Sequence, residues 1–171
     1  ELAVSIPVQA IWADPKVIAQ KNSLQDKRRW EALAKVLDRD TEALMARVSN
    51  PKRRFVYLQR QVTPAMAQYV DDLDIPGVNL KDESRRYYPS GEVSAHVIGF
   101  TNVDDKGIEG IEYLFNDYLT GTPDKRLIRR DGRGRQVEVI DEKEGEKASD
   151  LVLTIDQRIQ SLAYKEIKKA L

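Results

Sequence analysis

Cysteine is missing from this sequence of 171 residues, and histidine occurs once, as His96. Without cysteine, the chain can form neither a disulfide framework nor a thiolate metal site. A single histidine excludes a multi-histidine metal centre and leaves little material for a Ser-His-Asp relay. The residue types present therefore predict a chain with no metal and no cofactor.

Neither sign of charge is in excess, because 28 Lys and Arg residues balance 28 Asp and Glu residues. This balance argues against a general nucleic-acid binder, although it permits a local basic patch. No apolar run approaches the roughly 20 residues that span a bilayer. The chain begins at Glu1 and ends at Leu171 inside a helical pattern, so we expect both ends to be trimmed.

The hydrophobic pattern predicts an α+β fold of short strands and several helices. Asp14-Pro15 is typical of a turn, and Pro7 predicts an edge or a break in the first strand. Ser23 is expected to cap a helix, and Thr63-Pro64 to begin another. The predicted strands are 2–12, 55–62, 78–80, 84–88 and 151–155. The predicted helices are 23–37, 41–48, 64–73, 93–98, 111–119 and one that follows Asp156.

Two polar features have a catalytic interpretation and a simpler one. Ser49 and Lys52 match Ser-x-x-Lys, the nucleophile motif of penicillin-interacting enzymes. Here, however, the motif lies at a helix end, contains a proline and has no companion motif, so chance is the favoured explanation. His96 has the chemistry of a general base. Because no nucleophile lies near it in the sequence, we expect a partly buried ring bonded to the backbone.

A β-hairpin is predicted near 125–140, with turn chemistry at 131–134. Its cations predict either a surface for phosphate or an acidic partner, or a solvated hairpin with cross-strand pairing to Glu138, Asp141 or Glu142. The candidate docking residues are Arg126, Arg129, Arg130 and Arg133. Elsewhere, Glu109 and Glu112 begin a predicted helix, where carboxylates favour the helix dipole; acid/base work is the less favoured interpretation.

The longest motif starts at Arg85-Arg86-Tyr87-Tyr88-Pro89-Ser90-Gly91 and continues with Ala95-His96 and Ile98-Gly99. It resembles the R-x-Y-P-x-G…A-H-x-x-G pattern of class B penicillin-binding proteins. The segment 107–112 is similar to the G-x-x-G-x-E of that family, and 151–160 resembles the approach to its transpeptidase domain. The residues that match family motifs are Arg85, Arg86, Tyr88, Pro89, Gly91, His96, Gly99, Gly107, Gly110, Glu112, Asp131 and Gly134.

The resemblance covers essentially the whole chain and is strongest to the division-specific members in Gram-negative bacteria. It implies an elongated, non-catalytic pedestal module over 1–150 and the start of a transpeptidase domain over 151–171. It further implies a periplasmic position at the inner membrane, with one anchoring helix outside this chain. The implied partners are the transpeptidase domain of the same protein and division-complex membrane proteins, including the septal glycosyltransferase; no nucleic acid is expected. An acyl-enzyme acting through Ser49 and a nucleic-acid module using the hairpin are the alternatives.

We predict that Arg85 or Arg86 pairs with Glu109 or Glu112, because guanidinium groups suit bidentate carboxylate pairing. Arg86→Ala should therefore lower the melting temperature of the chain, measured by circular dichroism. An unchanged melting temperature would contradict the pairing.

Overall fold

The computed structural model describes residues 1–122, 125–130, 136–145 and 147–170. The chain divides into two compact units, Ser5–Tyr87 and Glu1–Val4 with Tyr88–Leu171. Mixed helices and strands confirm the α+β prediction. Along the first unit the elements are β1 (Val4–Ala13), α1 (Pro15–Gln20), a 3-10 helix (Ser23–Gln25), α2 (Lys27–Val36), α3 (Thr41–Val48), β2 (Val56–Val62), α4 (Pro64–Asp72) and β3 (Val78–Tyr87).

The first unit is built on a three-stranded antiparallel sheet with the order β2-β1-β3. β1 is therefore the central strand, and the prediction that Pro7 marks an edge or a break is wrong. The β1–β2 residue pairs start at Gln9↔Val62 and end at Ala13↔Val56. Pro7 precedes the first of these pairs, so its missing N–H removes no hydrogen bond from the β1–β2 ladder.

One face of the sheet carries the hydrophobic core of the first unit. Alternation along β2 buries Val56 and Leu58, while Trp30 and Leu33 of α2 are fully buried against the same cluster. α3 contributes Leu44 and Val48, and α4 contributes Ala67 and Val70. Because successive strand residues point to opposite faces, the residues between the core positions lie on the other side of the sheet.

Asp14-Pro15 starts a helix, where the sequence predicted a turn. The Asp14 carboxylate accepts hydrogen bonds from the amides of Lys16 and Val17, and Pro15 occupies the first turn of α1. An Asp cap followed by Pro satisfies the open amides of a helix start and requires no N–H from the proline. The helix is only six residues long, which is too short for an apolar periodicity to indicate it in the sequence.

The predicted helix over 23–37 is two helices, and its cap is Asp26 instead of Ser23. The Asp26 carboxylate accepts from the amide of Arg29 at 3.4 Å and starts α2. Ser23 is buried, and its carbonyl accepts the indole N–H of Trp30 at 3.0 Å. Ser23 therefore anchors Trp30 within the core.

The elements of the second unit are a 3-10 helix (Gly91–Val93), α5 (Ala95–Ile98), α6 (Gly110–Leu114), α7 (Asn116–Thr120), β4 (Lys125–Arg130), β5 (Gln136–Lys143) and α8 (Gln157–Ala170). β4 and β5 form the predicted antiparallel hairpin. Within the described residues, no helix has the length and apolar character that crossing a membrane requires.

Two predictions in the second unit are wrong. The helix expected over 111–119 breaks at Phe115, because the Asn116 side chain accepts the amide of Gly107 and the chain turns there. Leu114 is consequently 73% exposed, although the pattern placed it on an apolar face. The predicted strand 151–155 has no regular secondary structure and no ladder partner in the described part of the chain.

Trp30→Phe is expected to destabilise the first unit by about 1–3 kcal/mol, because it leaves the buried Ser23 carbonyl without its donor. Trp12→Phe is the matched control, since the Trp12 indole reaches the Leu80 carbonyl only at 3.4 Å in a partly buried place. Urea unfolding followed by far-ultraviolet circular dichroism compares the two. Equal shifts in the midpoint would contradict the role of the Trp30–Ser23 hydrogen bond.

Candidate functional site: the motif loop and the helix bound to it

The family-motif segment, residues 85–99, begins at the end of β3, and we call residues 88–94 within it the motif loop. Arg86 lies next to the last residue of β3 and donates a hydrogen bond to the Ser5 hydroxyl at 3.1 Å, which connects this end of the strand to β1. The predicted pairing of Arg85 or Arg86 with Glu109 or Glu112 stays a prediction. In the second unit, the Tyr88 hydroxyl accepts the amide of Thr101 at 3.1 Å. That bond connects the start of the motif loop to the chain after Gly99.

Two motif glycines allow backbone segments to touch. A Cβ atom on Gly99 would lie 1.8 Å from the carbonyl oxygen of Glu109, and one on Gly107 would lie 2.0 Å from that of Glu112. Such distances are far inside van der Waals contact, so only glycine fits at either position. Gly99 also has φ +75°, a left-handed conformation that other residues adopt at a cost. We call this close approach of the two backbone segments the backbone crossing, and it sets the position of α6.

Glu112 lies in the first turn of α6 and is buried, while Glu109 is the residue at its N-cap. Their position at the helix start agrees with the dipole interpretation of these carboxylates. His96 lies in α5 and is exposed, so the prediction of a partly buried ring is wrong. In this four-residue helix Ile98 is the buried residue, and the position two before it faces solvent.

Ser49 closes α3 and is exposed. Its hydroxyl donates to the carbonyl of Ala46 at 2.9 Å, a common arrangement for a serine at a helix end. The amide of Lys52 is bonded to the Asn50 side chain at 3.1 Å. In this geometry the Ser49 hydroxyl is hydrogen-bonded to the backbone, and Ser49 is the residue at which α3 ends.

The backbone register of the hairpin shows which residues are paired across its two strands. Its register sets Arg126 opposite Glu142 and Arg129 opposite Glu138. The choice between a docking surface and a solvated hairpin stays a prediction. Arg130 faces Gln136 in the same register. Asp131, Arg133 and Gly134 lie outside the described residues.

No sequence motif predicts that α8 binds the motif loop. The Gln157 side-chain amide donates to the Ser90 hydroxyl at 2.8 Å. One turn further on, the Gln160 amide donates to the carbonyl of Val93 at 3.0 Å. Both acceptors belong to the 3-10 helix region of the motif loop, so the first turns of α8 lie directly against it.

The same stripe of α8 continues to Tyr164 and Lys168. The Tyr164 hydroxyl donates to the Glu92 carboxylate at 2.6 Å, and the Lys168 ammonium donates to the same oxygen at 3.1 Å. Hydrogen bonds from Tyr164 and Lys168 lower the pKa of Glu92, and the bond to Glu92 raises the pKa of Lys168. We call the contacts of Gln157, Gln160, Tyr164 and Lys168 with residues 90–93 the polar seam.

The apolar stripe of α8 is left in solvent. Ile159 is 69% exposed, Leu162 is 61% exposed and Ile167 is 63% exposed. An amphipathic helix normally buries its apolar stripe and exposes its polar one. In α8 the polar stripe is the bound one, which leaves the apolar stripe available to a further protein surface. The only sequence signal for the polar seam is the helical spacing of its four polar residues.

Comparison with known proteins agrees with this architecture. Residues 2–153 match the family model of the penicillin-binding protein dimerisation domain. The chain belongs to this family, which confirms the sequence-based resemblance.

Among curated relatives, the chain is 52% identical over 170 residues to the peptidoglycan D,D-transpeptidase FtsI of Escherichia coli K12, covering 99% of the chain and 29% of that protein. It is 42% identical over 171 residues to the probable peptidoglycan D,D-transpeptidase PbpC of Pseudomonas aeruginosa, with 99% and 29% covered. The chain therefore spans 29% of the length of these relatives.

Two solved structures share the fold. Penicillin-binding protein 2 of Helicobacter pylori, in a complex with MreC, matches with a TM-score of 0.72 at 18% identity, covering 98% of this chain and 35% of that one. Penicillin-binding protein 2X of Streptococcus thermophilus matches with a TM-score of 0.63 at 16% identity, covering 98% and 28%. At these identities the likeness concerns the fold alone.

Gly99→Ala should be severely destabilising, by about 4 kcal/mol or more, because its Cβ would overlap the Glu109 carbonyl. Gly91→Ala is the matched control: Gly91 has φ +46°, but an added Cβ meets nothing within 4 Å. The control should lose only about 1–2 kcal/mol, the cost of a left-handed alanine. Urea unfolding measures both, and similar losses would show that the backbone crossing contributes nothing beyond φ.

Proposed function

We propose that this chain is the non-catalytic periplasmic module of a peptidoglycan D,D-transpeptidase that acts in septal wall synthesis and cell division. In this role it positions a catalytic domain and docks division partners. The observation that carries the proposal is α8, whose polar stripe is bound to the motif loop while Ile159, Leu162 and Ile167 remain exposed. An exposed apolar stripe of this kind is typical of a surface that binds a second protein surface.

We assign that second surface to the catalytic domain of the same protein. The relatives that match are transpeptidases, and this chain spans 29% of their length. On this assignment, residues 1–150 form the pedestal and 151–171 begin the catalytic domain. The protein would sit at the periplasmic side of the inner membrane, anchored by a helix outside this chain.

The polar seam then acts as the joint between module and catalytic domain. The family-motif residues support it: Gly99 and Gly107 fix the backbone crossing, and Tyr88 holds the loop that presents residues 90–93. The chain itself is proposed to be non-catalytic, since the Ser49 hydroxyl is bound to a backbone carbonyl and not to a base.

Partner docking has independent support in the fold. A penicillin-binding protein of the same fold, from Helicobacter pylori, was solved in a complex with the protein MreC. That complex supports the proposal that a protein of this fold binds other proteins. For this chain we propose division-complex membrane proteins, including the septal glycosyltransferase, as the partners.

Breaking the polar seam should loosen α8 in the full-length protein. In the double variant Glu92→Gln/Tyr164→Phe, α8 amides should exchange hydrogen about fivefold faster, a small effect because exposed polar contacts stabilise a structure only weakly. Glu166→Gln is the matched control, because its partner Lys169 lies on the same helix at 2.8 Å. Mass spectrometry of deuterium uptake makes the comparison, and equal uptake in the two variants would refute the joint.

The joint should also respond to pH. Because the pKa of Glu92 is lowered in the folded chain, its contribution is present above the ordinary carboxylate range and is lost as pH falls through the lowered pKa. Because the pKa of Lys168 is raised, its contribution is lost only as pH rises through that raised pKa. α8 protection should thus be greatest between these limits, and Glu92→Gln should remove the loss on the acid side.

A further inference from the structure

The sheet face opposite the core of the first unit carries an ordered aromatic stack. Trp12 and Phe55 stack with ring centroids 4.7 Å apart, and Tyr57 meets Phe55 edge-on at the same distance. Phe55 is nevertheless 46% exposed. Exposed, rigid aromatic rings of this kind are typical of the anchor positions in protein interfaces.

A shielded ion pair holds the stack in place. Arg60 binds the Glu83 carboxylate at 2.8 Å, and its guanidinium carbon lies 4.6 Å from the centre of the Tyr57 ring. The Tyr57 hydroxyl donates to the same carboxylate at 3.2 Å. The Glu83 side chain is only 8% exposed, so its charge is compensated within the sheet. The rings are therefore ordered before any partner arrives, which lowers the entropy cost of binding.

The accessible charge beside the stack is positive. Lys52, Arg53 and Arg54 form an exposed turn directly before Phe55. Arg54 binds Asp14 at 3.1 Å, but the Asp14 side chain is only 10% exposed while that of Arg54 is 66% exposed. In the described part of the chain, the side chains of Lys52 and Arg53 have no carboxylate partner.

Lys81 adds a further cation on the same face. Its ammonium group donates to the Tyr57 hydroxyl at 3.3 Å, and the residue is exposed. Among the described residues, the carboxylates that ion pairs bring to this region, Asp14 and Glu83, are both shielded and bound to arginine. A molecule that approaches Phe55 meets cations and an aromatic ring.

We propose that this face, which we call the aromatic-cationic patch (Trp12, Lys52–Phe55 and Lys81), docks an acidic peptide segment of a partner protein. Carboxylates of the segment would bind Lys52, Arg53 and Lys81, and an apolar side chain would pack on the open ring of Phe55. The inference deepens the docking part of the proposed function and rests on it, but it does not depend on α8.

The chemistry favours a peptide over other anions. The chain has no net charge, which opposes tight general binding to nucleic acid. The patch offers one exposed ring and a short cationic turn, whereas a membrane surface is bound through several apolar side chains with a polybasic cluster. An acidic segment with a single apolar anchor satisfies both parts of the patch at once.

The test uses the full 171-residue chain and three fluorescein-labelled peptides of about ten residues, the size of a short recognition segment. The first peptide is Glu-rich with a central Leu, the second has Ser in place of that Leu, and the third has Lys in place of every Glu. Fluorescence anisotropy gives each Kd at about 50 mM and about 300 mM salt, which separates screened charge from apolar contact.

Only the acidic peptide with Leu should bind well, and more weakly at high salt. Lys52→Glu/Arg53→Glu should raise the Kd of this peptide at least about tenfold, because attraction between the cations and the peptide carboxylates becomes repulsion. Lys27→Glu/Arg28→Glu is the charge-matched control, on α2 at the opposite layer, and should change Kd by less than about twofold. Phe55→Ala should raise Kd for the Leu peptide and leave the Ser peptide unchanged.

Three results would overturn the proposal. One is an absence of binding by the acidic Leu peptide up to about 1 mM, a Kd near the weakest useful affinity. Another is an equal loss of affinity in the patch variant and the α2 control. The third is tighter binding to phosphatidylglycerol vesicles or to single-stranded DNA than to the peptide, which would make the patch a general anion surface. If the α8 exchange test fails while the peptide test succeeds, the joint is wrong and the patch stands.

Discussion

In the second unit, everything depends on two backbone segments that approach more closely than any side chain permits. Gly99 lies against the carbonyl of Glu109, and Gly107 lies against that of Glu112. This contact sets where α6 begins, and the Asn116 side chain then accepts the Gly107 amide and ends the helical run at Phe115. The short helices follow from the crossing, and the motif loop is held beside it by Tyr88.

In the first unit the corresponding constraint is the alternation of strand side chains. Val56 and Leu58 enter the core, while Tyr57 between them lies on the opposite face. The same periodicity that builds the core therefore builds the aromatic-cationic patch. A sheet covered by helices on one face presents its other face with little conformational freedom, and this suits it to recognition.

The sequence allowed the local features of the fold to be predicted and left the distant ones unseen. Thr63 caps the helix that it was expected to begin, and Asp156 caps α8, because a cap depends on residues at most three positions away. α1 was missed although Asp14-Pro15 has the chemistry of a helix start, because six residues show no periodicity. The bond between Tyr164 and Glu92 joins residues 72 positions apart, and no local pattern encodes such a contact.

The bonds of Asp14 limit which residues of the aromatic-cationic patch can be substituted. Its amide donates to the Gly77 carbonyl at 2.8 Å, one carboxylate oxygen caps α1 and the other binds Arg54. A substitution at position 14 or 54 would disturb folding together with the surface. Among the described residues, the side chains of Lys52 and Arg53 make no such connection, so their charge can change without disturbing the fold. Partner preference can therefore diverge at two adjacent codons while the scaffold beneath them is retained.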